Sequence, residues 1–227
     1  ANPPRFGVNW RSAMDTAIRA ANWIWALSLN GEPEVFPPAL KWLLAKSLYQ
    51  HACHIEANLD DRGHYTNNHY LAEIVGLMHI AYAFPQFPQS ARWLGFSMRE
   101  LTSEMDATVF PDGVNYEGST GYHRLVTEIF LLPALYRRAL IMEVPDVYVG
   151  RLKKMAEFTA AYSRADGSVP YWGDADDGRV LPFGGQQIND HRYLIALIGN
   201  GFGDDAHGLR PQGQLIQAGE RPPLGMG

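Results

Sequence analysis

Residues 10–29 read WRSAMDTAIRAANWIWALSL, and the spacing of their apolar side chains decides the fold class. Ala13, Ala17, Ala20, Ala21, Ile24 and Leu27 recur every three or four residues, which is the period of a helix with one buried face. Gly31 and Pro33 follow as stop signals. Working outward, a second run starts near Pro37-Pro38. It carries Leu40, Leu43, Leu44, Leu48 and Ile55 before the turn-forming Asp60-Asp61-Arg62-Gly63. The same period predicts helices over about 69–84 and 90–108, separated by Pro85 and Pro88, and over about 122–141, where Pro133 should kink the chain. Further helices are expected over about 147–163 and 190–198. Residues 110–121 and 166–189 are rich in Gly, Pro, Asp and Asn and read as loops. Strand-like alternation appears only in scraps such as Ser168 to Trp172, and no 34-residue repeat is present. The pattern predicts an all-α domain over 1–198, a ring of antiparallel helical hairpins. Residues 199–227 lack periodicity and read as a linker or ragged tail.

Composition narrows the function. The chain has 227 residues, 46% hydrophobic and 19% charged, which is globular rather than disordered. A net charge of −5 argues against a general nucleic-acid binder. Cys53 is the single cysteine, so no internal disulfide is possible. No apolar run approaches the length of a membrane span. Ala1-Asn2-Pro3-Pro4-Arg5 lacks the form of a signal peptide, which leaves export open.

Two segments carry more polarity than local structure requires. Thr66-Asn67-Asn68-His69 stands where the third helix begins; one Asn suffices for an N-cap, and here two are followed by a His. Tyr116-Glu117-Gly118-Ser119-Thr120-Gly121-Tyr122-His123-Arg124 places a Tyr, a His and an Arg at the start of the fifth helix. Neighbours on a helix point in different directions, so one can face a cleft while another packs behind it. Other chemistries fit poorly. His51-Ala52-Cys53-His54 has the spacing of a helical metal pair but lacks a second pair. Asp174-Ala175-Asp176-Asp177-Gly178 imitates a calcium loop with its Gly one position early and Gly185 where Glu should stand. Gly118-Ser119-Thr120-Gly121 is not a nucleophile elbow, and no phosphate-binding glycine fingerprint occurs.

Taken together, the segments resemble the heparinase II/III family of polysaccharide lyases, which includes related alginate lyases. The residues that carry the resemblance run in the family's order. They are Ser12-Ala13-Met14-Asp15 with Ile18-Arg19-Ala20, Asn67-Asn68-His69 through Glu73 and Gly76-Leu77, and Phe110-Pro111-Asp112-Gly113-Val114. Glu117 to Arg124, Gly173-Asp174, Asp177-Gly178-Arg179 and Asp190 complete the set. The resemblance implies an incomplete α/α toroid, normally followed by a β-sandwich domain that this chain does not include. It implies that Asn68 and His69 contact a uronate and that Tyr122 transfers protons. Asn67, Glu117, His123, Arg124, Trp172 and Arg179 are the candidate substrate-binding residues around them. No metal and no organic cofactor is called for, and the expected partner is an acidic polysaccharide or oligosaccharide. A periplasmic or secreted location follows from such a substrate.

The chemistry stands without the name. Breaking a 4-linked uronic acid by β-elimination removes the C5 proton, expels O4 and leaves a 4,5-unsaturated sugar. The C5 proton is weakly acidic while the adjacent carboxylate is charged, so an amide such as Asn68 and a donor such as His69 must stabilise the developing dianion. A phenol such as Tyr122 can give a proton to O4. Two alternatives remain: a toroid glycoside hydrolase pairing Asp112 or Glu117 with Asp174 or Asp177, and a non-catalytic acidic-saccharide module using Arg124 or Arg179.

Overall fold

The structure, a computed structural model, describes residues 3–29, 36–60, 63, 66–174, 177–180 and 187–203. A 3-10 turn, Val8–Trp10, leads into α1 (Ala13–Leu29). There follow α2 (Pro38–Ala57), α3 (Asn68–Ala83), α4 (Ser90–Thr108), α5 (Thr120–Ala139), α6 (Asp146–Tyr162) and α7 (Arg192–Phe202). No strand occurs among the described residues, where pairing is limited to an isolated bridge between Val109 and Asn115. No described helix is long and apolar enough to cross a membrane.

Helix α3 is the hub. Its run from Tyr70 to Ala81 is apolar nearly all round, which suits a helix enclosed on every side. On one flank Ile74 and Val75 join Leu101 of α4, Ile129 and Phe130 of α5, and Leu152 of α6. On the other, Leu77 and Ile80 join Ala17 and Ile24 of α1, Leu48 and Ile55 of α2, and Trp93 of α4. Gly76 lets α1 approach: a Cβ there would lie 2.5 Å from the Ala17 Cβ.

Contacts at the helix ends fix the directions. Thr66, just before α3, meets Glu104 near the end of α4, so these two helices are antiparallel. At the far end of α3, His79 and Tyr82 pack on Tyr136 of α5, so α3 and α5 run the same way. His123 at the start of α5 meets Met155 and Thr159 late in α6, which makes that pair antiparallel. Alternate helices therefore begin at the same end, and the starts of α3 and α5 become neighbours.

The bounds of α5 and α7 differ from the sequence expectation. α5 starts at Thr120, two residues early, because Ser119 caps it. It then runs unbroken through Pro133 to Ala139. α7 starts at Arg192, after Asp190 has accepted both the Arg192 backbone N–H and its guanidinium. It continues four residues past Ile198 to Phe202, whose ring lies beneath the Arg138 guanidinium, so residues 199–202 are helix rather than tail. The tail beyond residue 203 lies outside the described residues.

Buried imidazoles give the fold a pH dependence. Burial lowers His51, His79 and His123 to about 4 from an ordinary 6.5. In the unfolded chain these rings charge near 6.5, so stability is lost as pH falls from there towards 4. His79 is wholly enclosed, between Trp25 and Tyr136. The wild type should lose stability relative to His79→Phe across that window, by something on the order of 3 kcal/mol, and the difference should level off below it. Urea midpoints measured from pH 7 to pH 4 check this; a constant difference would contradict it.

Candidate functional site

At the start of α3 each polar residue has a distinct task. Asn67 is the N-cap: its Oδ1 accepts from the His69 and Tyr70 backbone N–H groups at 3.1 and 3.4 Å. Just before it, the Thr66 carbonyl accepts from the Tyr116 hydroxyl, and the Thr66 hydroxyl donates to Glu104. Asn68 donates twice to Glu117, from its backbone N–H to Oε1 at 3.0 Å and from Nδ2 to Oε2 at 2.7 Å. The His69 ring is half exposed, with Nδ1 3.6 Å from the Asp60 carboxylate. The Asp60 backbone N–H in turn donates to Glu73 at 2.7 Å. Burial, helped by the charge of Asp60, lifts Glu73 to about 7.

The start of α5 is assembled by the preceding loop. At Gly113 φ is +93°, and a Cβ would fall 2.3 Å from the Lys154 carbonyl carbon, so the loop passes α6 only with glycine there. Asn115 is buried; its Nδ2 donates to the Thr108 carbonyl at 3.2 Å and its Oδ1 accepts from the Glu117 N–H at 3.1 Å, which aims Glu117 at α3. Ser119 caps α5 by accepting from the Tyr122 N–H at 3.1 Å, and donates to the Asp174 carbonyl. Thr120 ties in residues 170–172, donating from its backbone N–H to the Trp172 carbonyl at 3.0 Å. The Tyr122 hydroxyl donates to the Asp174 carboxylate at 3.1 Å. Trp172 and Tyr171 stand out into solvent, 72% and 71% exposed. Behind them lies a cavity of about 300 Å³ walled by Ser119, His123, Phe158, Tyr162, Pro170 and Trp172.

The candidate residues therefore divide. Glu117 draws Asn68, itself only 5% exposed, to the loop that opens α5, and the half-exposed His69 follows it on α3. Tyr122 opens the neighbouring helix. Both helix starts present their positive dipole ends to the same end of the molecule, a favourable setting for an anionic ligand. His123 and Arg124, expected as substrate contacts, are each only 1% exposed. The His123 Nε2 meets the Met155 carbonyl at 3.3 Å, and its ring is packed edge-on to Phe158. Arg124 donates to the Gly178 carbonyl at 2.8 Å. A 20-residue helix enclosed by α3, α6 and α7 must bury most of its circumference, so these two brace the start of α5 from inside. Glu117 and Asn67 likewise spend their oxygens on the backbone and side chain of α3. Trp172 remains available to a ligand. Arg179 donates to the Gln187 carbonyl at 3.1 Å and lies over the Tyr193 ring.

Of the carboxylates of the hydrolase alternative, Asp112 accepts from the Val114 N–H within its own turn, Glu117 holds Asn68, Asp174 faces Tyr122, and Asp177 lines a small pocket beside Arg124 and His191. Among the described residues no cluster of three metal-ligating side chains occurs. The calcium-like stretch includes residues 175 and 176, which lie outside the described residues. Asp60, Glu104 and Asn115 escape sequence reasoning. Each reads locally as a turn or helix-surface residue: Glu104 meets Thr66 only because α4 packs against α3, Asp60 meets Glu73 where the chain returns to α3, and Asn115 is held within its own loop by Thr108 and Glu117.

Comparison with known proteins identifies the fold's relatives. The family profile described as the heparinase II/III N-terminus matches residues 2–182. A heparin-sulfate lyase of Pedobacter heparinus is 27% identical over 168 residues, which cover 73% of this chain and 25% of that protein. A heparin-sulfate lyase of Bacteroides stercoris is 27% identical over 144 residues, 62% of this chain and 21% of that one. The crystal structure of the heparan sulfate lyase HepC from Pedobacter heparinus superposes with a TM-score of 0.56 at 26% identity, covering 74% of this chain and 26% of that one. The chain thus spans about a quarter of the length of the relatives it matches.

Proposed function

The chain belongs to the heparinase II/III family and folds as the incomplete α/α toroid of its N-terminal region, and from that premise we propose that it is the helical part of a polysaccharide lyase that cleaves a 4-linked uronate by β-elimination. What supports the reading is the meeting of two helix starts, one bearing Asn68 and His69 and the other Tyr122, bridged by Glu117. In this mechanism the Asn68 amide and His69 stabilise charge that builds on the sugar carboxyl as the C5 proton departs. His69 takes the C5 proton, and Tyr122 at the other helix start gives its phenol proton to O4 as the C4–O4 bond breaks, so one proton leaves the sugar and one is returned to it. Its hydroxyl, bonded to Asp174, is held in one orientation before substrate arrives. Exposed Trp172 offers an apolar face on which a sugar ring can stack. These residues need no metal or organic cofactor for the step. An acidic polymer outside the cytoplasm is the substrate class, with the protein exported to meet it, and a further domain closes the site against water.

A screen of uronate polymers with the full-length protein, followed at the absorbance of the unsaturated uronate, tests the reading. The expected result is absorbance growth on at least one 4-linked uronate polymer, with an unsaturated sugar at the new non-reducing end. Saturated products would instead assign a hydrolase.

A further inference from the structure

The carboxylate of Glu117 performs two jobs that a sequence reading keeps apart. Every helix leaves its first N–H groups without intrahelical partners. At α3 the Asn67 side chain serves His69 and Tyr70, and the Asn68 N–H is taken by Glu117 Oε1 from 49 positions away. The other oxygen of the same carboxylate accepts from Asn68 Nδ2. A side-chain amide can be turned over with little change of shape, exchanging its donor for its acceptor. Against a carboxylate the turned-over form sets oxygen against oxygen, so only one orientation is tolerated. Glu117 is itself fixed, since its backbone N–H donates to the buried Asn115 side chain.

We propose that Glu117 is a positioning residue: by taking one Nδ2 hydrogen of Asn68 it fixes the amide so that the second Nδ2 hydrogen, and not Oδ1, meets the sugar carboxyl. The proposal rests on the lyase reading above. It changes the role of Glu117 from a substrate contact to a group that acts through Asn68. Burial raises Glu117 above the usual carboxylate range, while the two Asn68 donors oppose that rise, consistent with a carboxylate occupied by its neighbour.

Glu117→Gln tests it because glutamine can keep both hydrogen bonds in only one way. Its oxygen takes the Asn68 backbone N–H, and its NH₂ then donates to a turned-over Asn68 oxygen. The fold is retained and the amide is reversed. With the full-length protein and a uronate polymer that the wild type cleaves, kcat should fall about 10- to 100-fold, the scale of a misplaced reacting group. KM should change less than about threefold, and the Asn68 side-chain amide resonances should move in an ¹⁵N spectrum otherwise like the wild type. Turnover within about twofold of wild type would overturn the proposal, and so would lost turnover with unmoved Asn68 amide resonances. Asn68→Ala separates the two ideas. If it is inactive while Glu117→Gln is fully active, only the positioning role falls. If Asn68→Ala turns over like the wild type, the lyase role of Asn68 falls and the proposal with it.

Discussion

Tyr122→Phe is expected to lower turnover of the full-length protein by about 10²–10⁴-fold, the range that positioned proton transfer contributes. The change removes one oxygen from a partly exposed ring whose hydroxyl donates to Asp174. α5 keeps its cap, because the cap uses the Tyr122 backbone N–H and the Ser119 hydroxyl. Thermal midpoint and far-UV circular dichroism should therefore match the wild type while the unsaturated product disappears. An active Tyr122→Phe enzyme would remove Tyr122 from the chemistry. Reading the result needs both measurements, since the same helix start also anchors residues 170–174.

A large effect on stability is expected at Gly76. Replacement by valine places a Cβ 2.5 Å from the Ala17 Cβ and 2.7 Å from its Cα, against backbone that cannot swing away as a flexible side chain would. α1 and α3 must separate, and overpacking of this kind costs about 1–3 kcal/mol or more. For a chain of this size each kcal/mol lowers the melting midpoint by about 2–4 °C. Gly199→Ala is the control, because a Cβ at that helical position meets nothing within 4 Å. Its midpoint should stay close to the wild type. A Gly76→Val protein melting with Gly199→Ala would show that the α1–α3 crossing is not tight.

The sequence by itself determined the helices and their order, because burying one face of a helix imposes a three-to-four-residue spacing on Ala13, Ala17, Ala20 and Ile24 whatever the partner. It also marked the polar excess at Asn67-Asn68-His69 and before Tyr122, since one capping side chain satisfies a helix start and these segments hold more. Side-chain direction was not decided there. His123 and Arg124 adjoin Tyr122 in the chain, but α6 and the loop at Gly178 cover them, and adjacency on a helix says nothing about which face a neighbour will enclose. The end of α7 was equally hidden: Gly199, Asn200 and Gly201 are weak helix formers, and the turn persists because Arg138 of α5 holds Gly201 and Phe202. Only the tertiary structure joined Glu117 to Asn68 and Asp60 to both His69 and Glu73. The first forms where α3 and α5, running in parallel, bring their starts together, and the Asp60 pairs form where the chain at residue 60 returns against α3; contacts set by the path of the chain rather than by a helical repeat leave no periodic mark on it.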